Sequence, residues 1–258
     1  MSIADTRITA DTPVDRIDRE RDFHNHRFSG ETREAQGKYY SAIEHGARDY
    51  MRLVRRLSAG ADVLEYGCAT GGNSLSLAPL CRSMTGIDIS DVAIGHATER
   101  AVMGGIGNAS FHAMNAEDMT FPDASFDLVF GSGIIHHLDL DRCYSEISRV
   151  LRPGGTAVFW EPLGHNVLIN LYRGRTPDVR TPDEHPLLRR DFTLARRHFG
   201  AVDLTFYGLL TLGSVPLRNT RLFRPVHAVA ATLDRLLFVL PGLRWQAWYT
   251  LAILKAPS

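Results

Sequence analysis

The chain has 258 residues, of which 44% are hydrophobic and 22% charged, a composition typical of a globular protein that buries a sizeable core. Lysine plus arginine and aspartate plus glutamate each total 29, unlike the basic excess of a nucleic-acid-binding protein. The three cysteines show no paired spacing, so they predict neither a disulfide framework nor a zinc site.

Two apolar stretches near the C-terminus, Leu236–Leu243 and Trp245–Leu254, carry no charge. Both are shorter than the roughly 18 residues needed to cross a bilayer. The N-terminus has charged residues in place of the apolar run of a signal peptide. We therefore expect a cytoplasmic protein without a transmembrane segment, and we predict no oligomeric state.

The first part of the chain, residues 1–35, is polar and aperiodic, which predicts a flexible leader or a cap. Residues 36–258 are expected to form one domain, with its core over residues 60–162. A helix begins at Tyr40 on apolar positions with helical spacing, and it ends near Gly60.

Strands and helices alternate along the core. The predicted strands are Asp62–Tyr66, Ser83–Ile89, Ser110–Ala113, Phe126–Gly131 and Thr156–Glu161. The predicted helices between them are Asn73–Cys81, Val92–Ala101 and Leu140–Leu151. This alternation predicts an α/β fold, in which a doubly wound, mostly parallel sheet is covered by helices on both faces.

The last third of the chain does not continue the regular alternation of predicted strands and helices. Residues 163–189 hold several prolines without a clear period, which predicts a loop-rich, lid-like insertion. A helix over Arg190–Phe199 and a strand over Ala201–Tyr207 follow. Residues 208–245 predict an apolar helical insertion, and Trp248–Leu254 is the last predicted strand.

The apolar helical insertion carries a stripe that has two interpretations. The stripe consists of Val226, Val229, Leu233, Leu236, Leu237 and Leu240. In the first interpretation, the stripe packs an extra helix against the sheet. In the second, the stripe is accessible, and it forms either an apolar lid over a hydrophobic substrate or a peripheral contact with a membrane surface. In the membrane interpretation, four arginines would meet lipid head groups: Arg221, Arg224, Arg235 and Arg244.

A glycine turn lies directly after the first predicted strand and directly before a helix, the context in which such turns bind nucleotide-like ligands. Gly67 permits the tight turn, the small Ala69 allows close backbone approach, and Gly71 opens the helix. Asp88 ends the second strand, where a carboxylate accepts hydrogen bonds from a ribose diol.

The residue before this turn favours one of two ligands. Gly67, Ala69 and Gly72 approximate the dinucleotide fingerprint, so an NAD-dependent oxidoreductase is one interpretation. Glu65 argues against it, because a carboxylate there would repel a pyrophosphate. The same carboxylate suits S-adenosylmethionine, which carries an ammonium and a sulfonium. The sign of the charge therefore favours the methyl donor.

Five segments in order resemble the class I S-adenosylmethionine-dependent methyltransferases, and most of all the small-molecule branch related to ubiquinone and menaquinone biosynthesis C-methyltransferases. The segments are Leu64–Gly71, Asn115–Asp118, Phe121–Asp127, Ser132–Leu138 and Glu146–Gly155. Two positions depart from the family pattern. Ala69 stands in place of the middle glycine, and Asn115 stands where aspartate is usual.

The resemblance implies a Rossmann-like sheet of seven strands with an antiparallel last strand, S-adenosylmethionine as cofactor and a small-molecule methyl acceptor. It implies that Glu65 holds the amino-acid end of the cofactor through its loop and that Asp88 holds the ribose. Asn115 and Ala116 would hold the adenine. The other residues implied to line the cofactor are Tyr40, Gly67, Cys68, Ala69, Gly71, Ile89, Glu117 and Ser132.

Polar residues follow the fourth and fifth predicted strands, at the carboxyl edge of the sheet where ligands bind. Methyl transfer needs a general base only if the acceptor must lose a proton, and histidine suits that role near neutral pH. His136 is the first candidate and His165 the second, while Glu161 is expected to face a polar substrate or to be hydrogen-bonded. No metal site is predicted, because His165, Glu184 and His185 match no standard ligand spacing.

The sequence thus favours methyl transfer to oxygen or carbon of a small, hydrophobic metabolite. A cofactor-binding descendant without catalytic activity and the NAD-dependent oxidoreductase are the alternatives. The acceptor is not predicted, because the leader and the late insertions that would shape its pocket carry the least sequence pattern.

Overall fold

The computed structural model describes residues 16–22, 25, 37–174 and 185–257, and its centre is a seven-stranded sheet. The strands are β1 (Asp62–Tyr66), β2 (Ser83–Asp88), β3 (Ala109–Ala113), β4 (Phe126–Ser132), β5 (Leu151–Pro162), β6 (Ala201–Tyr207) and β7 (Tyr249–Lys255). The α/β character and the alternation predicted from the sequence are therefore confirmed.

The helices pack around this sheet, and a leader helix over residues 16–22 precedes them. In chain order they are α1 (Gly37–Tyr40), α2 (Glu44–Leu57), α3 (Gly72–Leu77), α4 (Asp91–Met103), α5 (Leu140–Val150), α6 (Val167–Gly174), α7 (Arg189–Ala195) and α8 (Phe223–Leu237). Within the described residues, no helix is long and apolar enough to cross a membrane.

The order of strands in the sheet is β3-β2-β1-β4-β5-β7-β6. β1 pairs in parallel with β2 and β4, and β5 in parallel with β4, whereas β7 runs antiparallel to both β5 and β6. The antiparallel last strand is therefore confirmed. Because the chain leaves β1 in one direction towards β2 and returns on its other side to β4, the carboxyl ends of β1 and β4 border the crevice where such sheets bind ligands.

The apolar core lies in two layers, one on each face of the sheet. Successive side chains of a strand point to opposite faces, so Leu64 joins one layer and its neighbour Val63 the other. The first layer includes Tyr144 of α5 and the second includes Tyr50 of α2, both almost fully buried. The central strands β1 and β4 are therefore covered on both sides.

Two elements differ from their predicted form. β5 begins at Leu151 and not at Thr156, because Leu151 pairs with Phe126 ahead of an irregularity in the register. The segment predicted as a loop-rich insertion contains α6, while residues 175–184 lie outside the described residues. A bridge between Leu163 and Leu187 joins the two ends of this insertion.

Candidate functional site

The glycine turn connects β1 to α3 with three residues in the left-handed region, Gly67 (φ 75°), Ala69 (φ 48°) and Gly71 (φ 73°). The backbone N–H groups of Gly67 and Cys68 donate to the carbonyl of Ile87 on β2, at 2.9 and 2.8 Å. A Cβ atom at Gly67 would lie 2.9 Å from Ile134, so glycine is required there. The turn is fixed by its neighbours, and Ala69 adopts a conformation that alanine disfavours.

Glu65 is buried beneath this turn and holds the start of α3. Its carboxylate accepts hydrogen bonds from the Asn73 amide at 3.0 Å, from the Ser74 backbone N–H at 2.9 Å and from the Ser74 hydroxyl. Burial raises the pKa of the Glu65 carboxyl to about 7, while the Ser74 and Asn73 hydrogen bonds act in the opposite direction. Glu65 therefore shapes the turn from below, which agrees with a role exerted through its loop.

Asp88 lies at the end of β2 beside the turn and is half-buried. One carboxylate oxygen accepts the Ala69 backbone N–H at 2.9 Å, and the other accepts the Ser90 N–H at 2.9 Å. Each carboxylate oxygen has a second lone pair, so Asp88 can accept ligand hydroxyls while it stays fixed by the backbone.

The segment after β3 is held by different contacts from those expected. The Asn115 side chain accepts the Glu117 backbone N–H at 3.0 Å, and the Ala116 carbonyl accepts the Tyr66 hydroxyl. Glu117 is buried, forms an ion pair with Arg16 and accepts the Asp139 N–H at 2.8 Å. Glu117 was predicted to line the cofactor. It instead anchors the leader helix, and we assign it that structural role.

The leader helix spans the carboxyl edge of the sheet. Arg16 also donates to the carbonyl of His137 at 2.9 Å, and Glu20 lies 3.6 Å from the His137 ring. Just beyond the helix, Asn25 donates to Asp91 at 2.9 Å. Of the two interpretations of residues 1–35, these contacts support a cap, while residues 1–15, 23–24 and 26–35 lie outside the described residues. Sequence reasoning missed Arg16 and Glu20 because single charges in an aperiodic stretch carry no pattern.

His136 and Glu161 meet in the interior, just after β4 and at the end of β5. The His136 Nδ1 lies 2.7 Å from the Glu161 Oε2, and the other carboxylate oxygen accepts the Ile134 and Ile135 backbone N–H groups at 2.9 and 3.2 Å. A carboxylate only accepts, so Nδ1 of a neutral His136 carries the proton and Nε2 carries the lone pair. The arrangement can orient His136 as a proton acceptor at Nε2.

Two other candidates have structural partners. Glu161 is 0% exposed, and its two oxygens contact the loop after β4 and the His136 ring, so of its two expected environments the structure shows the hydrogen-bonded one. The His165 Nε2 accepts the Arg189 backbone N–H at 3.0 Å, at the start of α7. We therefore propose that His165 holds the insertion in place, and we keep His136 as the candidate base. Asp183 and Glu184 of the same insertion lie outside the described residues.

Several residues leave room beside the turn and the end of β4. A Cβ at Gly72 would meet no atom within 4 Å, and one at Gly133 would meet only His136 at 3.8 Å. Ser132 ends β4 and is exposed. Asp88 supplies carboxylate acceptors next to the turn that carries these open positions, which fits an adenosine-type cofactor.

An aromatic group lies at the neighbouring end of β7. Tyr40 is 41% exposed and its ring centroid lies 5.6 Å from that of Trp248 and 6.3 Å from that of Tyr249. Tyr249 in turn stacks on Trp160 of β5 at 5.0 Å. In the described residues no three histidine, cysteine or carboxylate side chains gather as a metal site.

Residues 64–159 match the family described as "Methyltransferase domain". A sterol 24-C-methyltransferase of Neurospora crassa is 36% identical over 128 residues, which cover 48% of this chain and 33% of that protein. A 27-O-demethylrifamycin SV methyltransferase of Amycolatopsis mediterranei is 35% identical over 102 residues, 38% of each chain. The chain thus spans well under two thirds of the length of the curated relatives it matches.

Solved structures share the fold. An N-methyltransferase of Bradyrhizobium japonicum in complex with S-adenosylhomocysteine superposes with a TM-score of 0.60 and 17% sequence identity, covering 92% of this chain and 98% of that one. At this identity the comparison concerns architecture, and it covers the sheet and the helices around it.

Proposed function

We propose that the chain is a class I S-adenosylmethionine-dependent methyltransferase that transfers the methyl group to an oxygen or carbon of a small, hydrophobic metabolite. S-adenosylmethionine is its cofactor. The two relatives described above are named for a sterol and a rifamycin, both largely apolar molecules. The acceptor class is our inference for this chain.

The observation that carries the proposal is the joint placement of Glu65 under the glycine turn and β7 between β5 and β6. Dinucleotide-binding sheets have the order 3-2-1-4-5-6 without such an antiparallel strand. A buried carboxylate under the turn is unfavourable for a pyrophosphate and favourable for a cationic ligand. Both features favour the methyl donor over NAD, and the matches are to methyltransferases.

We assign the residues of this chain as follows. Glu65 holds the turn that receives the amino-acid end of the cofactor, Asp88 accepts the ribose hydroxyls, and Asn115 with the Ala116 backbone receives the adenine. The other residues that we assign to line the cofactor are Tyr40, Gly67, Cys68, Ala69, Gly71, Ile89 and Ser132. When bound, the cofactor supplies an electrophilic methyl group, and positioning of the acceptor in line with it supplies much of the rate.

Proton removal falls to His136 when the acceptor is an alcohol, a phenol or a carbon acid. Glu161 fixes the tautomer that leaves Nε2 as the acceptor of that proton. A bound cofactor would supply the methyl group, and His136 would take up at Nε2 the proton that the acceptor loses.

The test is transfer of a deuterium-labelled methyl group from S-adenosylmethionine to organic-soluble metabolites, read by mass spectrometry. We expect a product with a shifted mass that forms with the wild-type chain and falls at least tenfold with His136→Ala. Bound cofactor without transfer to any extract would favour the alternative of a cofactor-binding protein without catalytic activity.

A further inference from the structure

Helix α8 is turned so that two of its polar residues, His227 and Asp234, face inwards. Asp234 is 2% exposed, and its carboxylate accepts the backbone N–H groups of Leu209, Leu210 and Thr211 at 3.1, 2.7 and 3.3 Å. His227 is also buried, with its ring centroid 5.0 Å from that of His45 on α2. These contacts fix the rotation of α8 about its own axis.

The same rotation exposes the apolar stripe. Val229 is 61% exposed, Leu233 45% and Leu236 65%, and Val239 and Leu240 just after the helix are exposed as well. Positions 229, 233 and 236 recur at helical spacing and therefore form one continuous face. This outcome contradicts the interpretation in which the stripe packs against the sheet. Exposed apolar faces of this kind mark interaction surfaces.

The segment that carries this face is rich in arginine. Residues 208–245 contain five arginines and one acidic residue, the buried Asp234. Four of the arginines are exposed: Arg218, Arg221, Arg224 and Arg235. Arg244 instead packs its guanidinium over the rings of Phe206 and Trp245, at 5.8 and 5.9 Å. The surface thus combines exposed apolar side chains with exposed arginines.

We propose that the exposed face of α8 docks this protein onto an anionic lipid bilayer, with the apolar stripe entering the head-group region and the arginines contacting lipid phosphates. An interfacial helix has this combination of an apolar face and basic residues. A second copy of this chain fits less well, because a twofold contact would bring two sets of exposed arginines together. The proposal stands on α8 alone and does not depend on the methyl acceptor.

The test is sedimentation of the full chain with vesicles of phosphatidylcholine alone and of phosphatidylcholine mixed with phosphatidylglycerol. We expect at least tenfold tighter binding to the anionic vesicles, and a loss of most of it when salt is raised from about 0.1 M to about 1 M. Leu236→Glu should weaken binding to the anionic vesicles at least tenfold, and the double change of Arg221 and Arg224 to Gln should weaken it several-fold.

The matched controls lie on other helices. Met103 of α4 is 81% exposed, so Met103→Glu introduces the same charge on an exposed apolar position outside the stripe and should leave vesicle binding unchanged. Arg55→Gln with Arg56→Gln on α2 controls for the loss of positive charge. Equal binding to both vesicle types, or equal effects of Leu236→Glu and Met103→Glu, would overturn the proposal. So would a stable dimer in solution that Leu236→Glu dissociates.

Discussion

The Nδ1 atom of His136 lies 2.7 Å from the Oε2 atom of Glu161, and both side chains are buried at the carboxyl edge of the sheet. The same carboxylate accepts two backbone N–H groups of the loop after β4. Glu161 of β5 therefore fixes both the conformation of that loop and the tautomer of His136. This relationship makes Glu161 a positioning residue for the proposed base.

Glu161→Gln should keep the fold but change the tautomer of His136. A glutamine oxygen still accepts the Ile134 and Ile135 N–H groups, but its amide donates to Nδ1, so the proton of neutral His136 moves to Nε2. We expect turnover to fall at least tenfold with little change in the affinity for S-adenosylhomocysteine. Nitrogen-15 NMR of His136 reports the tautomer directly.

His165→Asn is the matched control for this prediction. Because the His165 Nε2 accepts a backbone N–H of α7, its loss should change stability and leave the pH profile of turnover unchanged. An unaltered rate and His136 tautomer in Glu161→Gln would remove Glu161 from this role.

Glu65 makes the stability of the fold depend on pH. Its pKa is raised from 4.5 to about 7 by burial, so between these values the folded chain binds more protons than the unfolded chain. Its contribution to the free energy of unfolding therefore falls as pH rises from about 4.5 to about 7. Glu65→Gln removes this dependence. Between pH 4.5 and 7, the free energy of unfolding of the variant relative to the wild type should therefore rise by up to about 3 kcal/mol.

The measurement is urea unfolding of both proteins at several pH values. The hydrogen bonds that glutamine cannot accept lower the stability of the variant by an amount that does not depend on pH, so only the slope is diagnostic. Parallel stability curves for Glu65→Gln and the wild type would show that Glu65 is ionised throughout this range.

Ala69→Gly should relax the glycine turn. Alanine at φ 48° is strained by about 1 kcal/mol, part of which is offset by the greater freedom of glycine in the unfolded chain. We expect a net gain of about 0.5 kcal/mol in the free energy of unfolding and a change in cofactor affinity measured by calorimetry. Ala124→Gly, at φ 52° in an exposed turn, should gain similarly in stability and leave the affinity unchanged. Identical affinity changes in both variants would contradict a specific role for Ala69.

Arg16→Gln should release the leader helix. It leaves the Glu117 carboxylate buried without its cation, which we expect to cost about 2 kcal/mol of stability. Hydrogen exchange of residues 16–22 should accelerate in the variant. Arg21→Gln breaks an exposed pair with Asp18 on the same helix and should cost less than about 0.5 kcal/mol. If Arg16→Gln and Arg21→Gln lose the same stability and show the same hydrogen exchange over residues 16–22, the Arg16–Glu117 pair does not anchor the helix.

Asp88→Ala should weaken S-adenosylhomocysteine binding at least tenfold, or about 1.4 kcal/mol. The change removes the carboxylate that accepts the Ala69 and Ser90 N–H groups, and with it the acceptor proposed for the ribose. Asp88→Asn keeps an acceptor oxygen and should bind with intermediate affinity, as measured by calorimetry. Wild-type affinity in Asp88→Ala would reassign the ribose contact.

The sequence predicted the sheet well because its signals are local. Apolar runs bounded by turns marked β1 and β4, and the glycine turn with Glu65 and Asp88 marked the cofactor edge. These features depend on residues that are close in the chain or on a repeating period, and the structure places them as expected.

Long-range pairings could not be predicted in the same way. Glu117 pairs with Arg16 across more than a hundred residues, and neither position has a period that indicates its partner. Helix α8 shows a second limit. The pattern of its apolar stripe is typical of a buried face. The buried Asp234, however, accepts three backbone N–H groups and so turns the stripe towards the surface. The apolar pattern predicts the helix and does not predict which face is buried.

Calorimetric titration of the 258-residue chain with S-adenosylhomocysteine, and separately with NAD, tests the assignment of the glycine turn most directly. The account predicts one S-adenosylhomocysteine bound per chain with micromolar affinity, and no measurable heat from NAD. Saturable binding of NAD without binding of S-adenosylhomocysteine would contradict it.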